Sequence, residues 1–259
     1  MLEFKSQIQA IEQLKQYAEM DKHSLLIDGA SGSGKTYLSS YFKDLIHADD
    51  YVIVQPNVND IRAATEACSK LNTKIVLCIE NLDTGVAGAS HALLKFLEEP
   101  TSNVYIVVTC IEIANIPDTI LSRSIQISLN PPTQSDIEMY ANYIDEVKYF
   151  DLSKRFKNII RSFSDVDKVF KLSAEQQEYL NSIELGWFDN PVNDVVWKLS
   201  KYPDNTSIDL TLVLRICLNI VPGKYLRKVC IDCLNELHKN RVSSNAIMSK
   251  LVMEVKYGG

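Results

Sequence analysis

The stretch Gly29-Ala30-Ser31-Gly32-Ser33-Gly34-Lys35-Thr36 constrains this chain more than any other. It reads GxxxxGKT. An apolar run at residues 25–27 precedes it, and a helical pattern at residues 37–43 follows. Strand, glycine loop and helix, in that order, is the setting in which backbone N–H groups cradle a phosphate. Glycines accept positive φ angles and let successive amides turn onto an anion. The N-terminus of the following helix adds partial positive charge. Lys35 can reach β- and γ-phosphates, and the Thr36 hydroxyl can ligate Mg²⁺. At average composition, four fixed positions match by accident in a chain of this length roughly one per cent of the time. The strand before and the helix after make an accident rarer still. The stretch therefore predicts a nucleotide-phosphate site.

The chain has 259 residues, enough for one large domain or two to three small ones. Hydrophobic residues make up 46% and charged residues 23%, the balance of an ordinary globular protein. The net charge of −6 excludes a uniformly basic nucleic-acid surface but leaves room for a local basic patch. The N-terminus has no basic segment leading into an apolar one, and no apolar run reaches ~18 residues. The expectation is a cytoplasmic protein with no membrane partner. Of the six cysteines, Cys230 and Cys233 form the one CxxC. They sit in a helical pattern with no second CxxC or His pair nearby, so a core-facing pair is expected rather than a zinc or redox site.

Helical spacing of apolar residues marks residues 5–20. His23, just before the first strand, reads as a surface residue. Strands are predicted at residues 51–54, 74–79, 104–109 and 124–129, and helices at residues 90–97 and 117–123. Asn59 or Asp60 is expected to cap a helix running to about Leu71. The third strand is almost wholly apolar, as a strand covered on both faces must be. Alternating strands and helices imply an α/β fold with a parallel sheet in three layers. In such sheets ligands sit at the carboxyl ends of strands. The glycine loop, Glu80 and Thr109 all fall at such ends. After Asn130-Pro131-Pro132 helix follows helix to the end of the chain. Thr133 with Asp136 resembles a capping box, Asp189-Asn190-Pro191 reads as a break, and helices are predicted at residues 210–221, 224–239 and 244–255.

A phosphate-loop ATPase needs an acid at the end of a neighbouring strand to hold Mg²⁺ and its water. Glu80 supplies one. Many such enzymes place a second carboxylate beside it as general base, where this chain has Asn81. An amide can orient a water but cannot accept its proton. Asp83 is a possible substitute, two residues out of place. ATP binding is expected, and hydrolysis is left open.

Beyond these motifs, Ser90-His91-Ala92-Leu93-Leu94-Lys95-Phe96-Leu97-Glu98-Glu99-Pro100, then a strand, then Ile116-Pro117-Asp118-Thr119-Ile120-Leu121-Ser122-Arg123-Ser124 resembles the DNA polymerase clamp-loader subunits of the AAA+ class. The similarity is to the bacterial τ/γ and δ′ type and covers about residues 21–129. It implies ATP and Mg²⁺ as cofactors. It makes Gly29 to Thr36 the phosphate loop, with Thr36 and Glu80 at the metal and Glu80 as the Walker B acid. It makes Thr109 the sensor of the γ-phosphate. Arg123, in a Ser-Arg-Ser version of the family's SRC, becomes an arginine finger reaching into the neighbouring subunit's ATP. Asn81 stands where catalytic members carry the second acid. The lid's sensor 2 motif falls at Ser164-Asp165-Val166-Asp167, with Lys168 adjacent.

The resemblance implies an AAA+ core over residues 1–129, a helical lid over 130–190 and a helical collar for oligomerisation over 191–259. Its expected role is ATP-dependent placement of a sliding clamp on primer–template DNA. The expected partners are other clamp-loader subunits in a ring, pentameric by resemblance, together with the clamp and the DNA. A δ′-like stator that binds ATP with little or no hydrolysis is the alternative, and a helicase loader or initiator-type AAA+ ATPase a third. A version this compact and divergent suggests a phage-like system acting in host cytoplasm.

Overall fold

The computed structural model of the chain describes residues 4–20, 22–85, 88–190, 194–195, 209–238 and 243–257. The chain divides into two compact units, the first formed by Met1–Glu146 with Arg161–Val166, the second by Val147–Ile160 with Asp167–Gly259.

The first unit is built on five strands, β1 (Ser24–Gly29), β2 (Asp50–Val54), β3 (Ile75–Ile79), β4 (Val104–Cys110) and β5 (Ile125–Leu129). Their spatial order is β2-β3-β4-β1-β5, and every pairing is parallel. The helices between them are α1 (Ile8–Ala18), α2 (Lys35–Leu45), α3 (Val58–Ser69), α4 (Ala89–Glu98) and α5 (Asp118–Leu121). Side chains alternate across a strand, so β1, β3 and β4 each feed two cores. Leu26, Leu77 and Ile106 pack with Ile61 of α3 and Leu93 of α4. Leu25, Ile27, Val76 and Val107 pack with Leu14 of α1 and Phe42 of α2. All five residues of β3 are fully buried, the position that its unbroken apolar sequence requires. The α/β fold with a three-layer parallel core is thus the one its sequence calls for.

Two local expectations change. The cap of α3 is Asn57, whose side chain accepts the Asp60 backbone N–H at 2.9 Å. Asn59 and Asp60 lie inside the helix, because a cap must bond the third helical N–H ahead of it and only Asn57 has that offset. His23 is half-buried rather than on the surface: its ring stacks on Tyr105 at 4.5 Å and its Nδ1 lies 3.0 Å from the Val104 carbonyl.

The helix α6 (Gln134–Asp151) begins with a reciprocal cap. Thr133 N–H donates to Asp136 Oδ2 at 3.0 Å, and Asp136 N–H donates to Thr133 Oγ1 at 3.2 Å. Asp136 is completely buried and also accepts the Lys5 backbone N–H at 2.8 Å, which ties the chain's first turn to α6. Within α6, Asp145 adopts an extended backbone (φ −162°, ψ 96°), and this break falls one residue before the chain first leaves the unit.

In the second unit lie α7 (Lys154–Ile159), most of α8 (Phe163–Lys171), α9 (Ala174–Ser182), α10 (Leu210–Ile220), α11 (Gly223–His238) and α12 (Ser244–Tyr257). Ser173 and Gln176 form a capping box on α9. Arginines close the other ends: Arg215 donates to the Ile159 carbonyl at 2.9 Å and Arg155 to the Asn181 carbonyl at 2.7 Å, satisfying carbonyls that a helix terminus leaves open. Cys217, Cys230 and Cys233 are buried among these helices, so the CxxC faces the core as its helical spacing predicts. Pro191, Lys239, residues 240–242 and the Gly258-Gly259 tail lie outside the described residues. Among the described residues no helix is long and apolar enough to cross a membrane.

Asp136 provides a test of this architecture. Burial pushes its pKa up, but hydrogen bonds from Thr133 and Lys5 oppose it, and the pKa is held below its ordinary 3.8. A depressed folded pKa stabilises the fold at pH values above 3.8, and that contribution is lost as the pH falls through the folded value. Asp136→Ala should cost about 2–4 kcal/mol at neutral pH. Thermal melts should show the gap from the parent narrowing as the pH is taken below 3.8.

Candidate functional site

The glycine loop connects the carboxyl end of β1 to α2. Gly32 (φ +74°) and Gly34 (φ +100°) occupy the left-handed region that its curl demands. Lys35 is the first residue of α2 and only 7% exposed. Its ammonium donates to the Gly29 carbonyl at 2.6 Å and to the Ala30 carbonyl at 3.0 Å. Burial lowers its pKa, against the pull of Asp83, Cys110, Asp28 and Glu80. The loop thus carries one held cation in an otherwise acidic surround.

The next residue reaches across to β3. Thr36 Oγ1 donates to Glu80 Oε1 at 2.7 Å, although the two are 44 positions apart. Glu80 directly follows β3, and the parallel sheet brings that end to the same edge as the end of β1. Behind this pair, Ser39 Oγ donates to the Thr36 carbonyl at 2.8 Å and lies 2.5 Å from the Tyr51 hydroxyl on β2. A hydroxyl and a carboxylate side by side are the hard oxygen donors that suit Mg²⁺, which takes one or two carboxylates and completes its octahedron with phosphate and water.

Asn81 follows in the left-handed region (φ 48°, ψ 54°), a conformation asparagine tolerates better than most residues. Its backbone N–H donates to Thr109 Oγ1 at 2.9 Å, and its carbonyl accepts from Thr84 N–H and Oγ1. Thr109, 1% exposed near the end of β4, therefore grips the turn that follows Glu80. Asp83 has a different task. Its carboxylate accepts the N–H groups of Ile111 and Glu112 at 3.1 and 3.0 Å and anchors the loop after β4.

The structure brings together Gly29 through Thr36, Glu80, Asn81 and Thr109. It does not bring Arg123 to them. Arg123 lies just before β5, at the amino ends of the strands and so at the far end of the same sheet. Its Nη1 donates to the Thr119 carbonyl at 2.8 Å and its Nη2 to Glu98 Oε1 at 2.9 Å. It helps line a cavity of about 320 Å³ with Lys22, Ser122, Ser124, Phe96 and Pro100.

Sequence reasoning missed the strap at residues 161–166, which returns to the first unit and covers the back of the glycine loop. Phe163 N–H donates to the Gly32 carbonyl at 3.2 Å. The Phe163 ring packs on Phe4 and Tyr140, with centroids 4.5 and 5.2 Å away. Asp165, 2% exposed, accepts the Arg161 N–H at 2.9 Å. In sequence the strap overlaps only the Ser164-Asp165-Val166-Asp167 stretch. Lys168 pairs within the second unit with Asp209 at 2.8 Å.

In sequence, residues 43–133 match the family described as DNA polymerase III, delta subunit. No curated protein matches the chain in sequence. In fold it is similar to a DNA polymerase III gamma subunit-related protein of Thermotoga maritima, at 16% identity and a TM-score of 0.58, over 95% of this chain and 98% of that one. It is also similar to Thermotoga maritima RuvB, a Holliday junction branch migration motor, at 15% identity and a TM-score of 0.53, over 97% of this chain and 82% of that one. The chain thus shares with these proteins a parallel α/β core followed by a helical C-terminal portion. The family match over residues 43–133 takes in residues 90–100 and 116–124, the stretches that carry the resemblance described above.

Gly32 tests the strap. A Cβ there would lie 2.4 Å from Ser162 Oγ and 2.7 Å from Ser162 Cβ, on a backbone of positive φ. Gly32→Ala should therefore lower stability by about 1–3 kcal/mol and raise hydrogen exchange at Phe163, measured by mass spectrometry.

Proposed function

We propose that this chain is an ATP-dependent clamp-loader subunit that helps open a sliding clamp and place it on primer–template DNA for a replicative polymerase. One observation carries the reading. The Thr36–Glu80 hydrogen bond joins the glycine loop to the acid after β3, while Arg123 sits at the opposite end of the sheet. A chain with this arrangement holds one part of an ATP site at each end, so a neighbouring subunit has to complete each site.

In this reading the amides of residues 30–36 and the Lys35 ammonium bind the phosphates. Thr36 and Glu80 would hold Mg²⁺, which would neutralise charge on the β- and γ-phosphates. Thr109 senses the γ-phosphate and, through the Asn81 N–H, passes its state to the turn after β3. Arg123 acts on the neighbouring subunit's nucleotide, where such a guanidinium is worth about 10³–10⁵ in rate in other NTPases. Residues 130–190 would form the lid and residues 191–259 the collar of a ring, pentameric by resemblance. DNA would be held through its backbone by several subunits together, with the salt dependence that phosphate contacts bring. The test is assembly with sister subunits and a sliding clamp. Co-purification with the clamp and DNA-stimulated ATP turnover are expected, with both nucleotide binding and stimulation lost in Lys35→Ala. No association with a clamp in any subunit mixture would refute it.

Asn81 supports a second reading, a δ′-like stator that binds ATP and scarcely hydrolyses it. A positioned general base contributes about 10²–10⁴ in rate, or roughly 3–5 kcal/mol of barrier. Asn81 cannot be one, and the Asp83 carboxylate is engaged by two backbone N–H groups. Single-turnover hydrolysis in the assembled complex separates the readings. A rise of 10²-fold or more in Asn81→Glu would mark a missing base. Brisk turnover by the parent, unchanged in the variant, would rule out the stator.

A further inference from the structure

We infer that Glu98 is a positioning residue that braces Arg123 for its work on a neighbouring subunit's nucleotide. The inference rests on the reading of Arg123 as an arginine that acts in trans. Arg123 follows α5, a helix of only four residues, which by itself gives a long side chain little anchorage. Two acceptors on its own subunit fix the guanidinium plane instead: the Thr119 carbonyl takes Nη1 and Glu98 Oε1 takes Nη2. A guanidinium has five N–H donors in a planar fork. Two are used at the brace, and the others remain for a phosphate. The pair stands at the surface, with 35% of the Arg123 side chain and 52% of the Glu98 side chain exposed, so a second subunit can meet the arginine without breaking it.

The location of Glu98 supports the same conclusion. It is the last residue of α4, where the helix presents its negative end and a carboxylate is mildly unfavourable. Pro100 follows closely, and Glu99 beside it doubles the negative charge. An acid so placed breaks a local rule unless a cation answers it, and Arg123, 25 residues further along, is that cation. Departures of this kind are where function is expected to sit. The brace settles the arginine's rotamers before the neighbour arrives, so less freedom is lost when the phosphate is bound.

The experiment is steady-state ATP turnover of the assembled complex, with clamp and primer–template DNA, for the parent, Glu98→Ala, Glu98→Gln, Arg123→Ala and the double variant. A half-exposed charged pair supplies an effect of about three- to fivefold, so kcat should fall by that factor in Glu98→Ala with KM for ATP unchanged. Glu98→Gln keeps an acceptor oxygen and should recover part of the loss. In the Arg123→Ala background, removing Glu98 should change nothing further, because the residue acts through the arginine. An equal fall from Glu98→Ala in that background would make the residue merely structural and overturn the proposal. So would unchanged or faster turnover in the single variant, the latter meaning that the pair restrains the arginine rather than presents it. Full turnover in Arg123→Ala alone would instead remove the reading of Arg123, and the brace with it.

Discussion

The Thr36 hydroxyl and the Glu80 carboxylate meet at 2.7 Å, and much of the first unit is arranged so that they can. The meeting needs β1 and β3 to end side by side while β4 runs between them. An all-parallel sheet in the order β2-β3-β4-β1-β5 does this: each strand delivers its carboxyl end to one edge, and the crossover helices return the chain to the other. The apolar content of β3 follows from the same constraint, because a central parallel strand is roofed by helices on both faces. Thr109 then adds β4 to the group by holding the Asn81 N–H. The chemistry of the site is therefore supplied by three strand ends whose spacing the backbone ladder sets, with Ser39 and Tyr51 steadying the first turn of α2 from behind.

Much of this was legible in the sequence because it is local. A glycine loop between a strand and a helix, an apolar pentapeptide ending in an acid, and a Thr-x-x-Asp pair before a helix each carry their signal within a few residues. Glu80 and Thr109 could be placed at the site because parallel α/β sheets gather strand ends. What stayed hidden depends on distant returns of the chain. The strap at residues 161–166 looks like any turn into a helix, and nothing within it says that Ser162 will lie against Gly32, 130 residues earlier. Asn57 does not stand out as a cap because Asn59 and Asp60 are equally good capping residues, and the choice between them rests on where the first helical turn closes. His23 looked like a surface residue since a polar stretch surrounds it, yet Tyr105 from a neighbouring strand supplies the ring that covers it.

The two ends of the sheet differ in how they treat charge. At the loop end, acids surround the buried Lys35 ammonium, which two backbone carbonyls hold. At the other end, a half-exposed arginine is kept in one pose by an acid and a carbonyl. Such a pair adds little to stability, so its significance is geometric. The second unit holds its charges in service of its helix ends: Arg155 and Arg215 close open carbonyls, and Lys168 pairs with Asp209, the cap of α10.

The strap also bears on how this protein could be divided. The first unit is discontinuous along the chain, interrupted by residues 147–160 before residues 161–166 rejoin it. A fragment ending at Glu146 would keep the whole sheet and every residue of the glycine loop, yet it would leave the Gly32 carbonyl and the Phe4 ring facing water where Phe163 now stands. The parallel α/β core is consequently not a separable module that ends where its last strand ends. Exchange of C-terminal segments between related chains, by splicing or recombination, would have to carry the strap along or supply an equivalent of it. A stretch that reads in sequence as a turn into a helix is thus part of the first unit's own fabric.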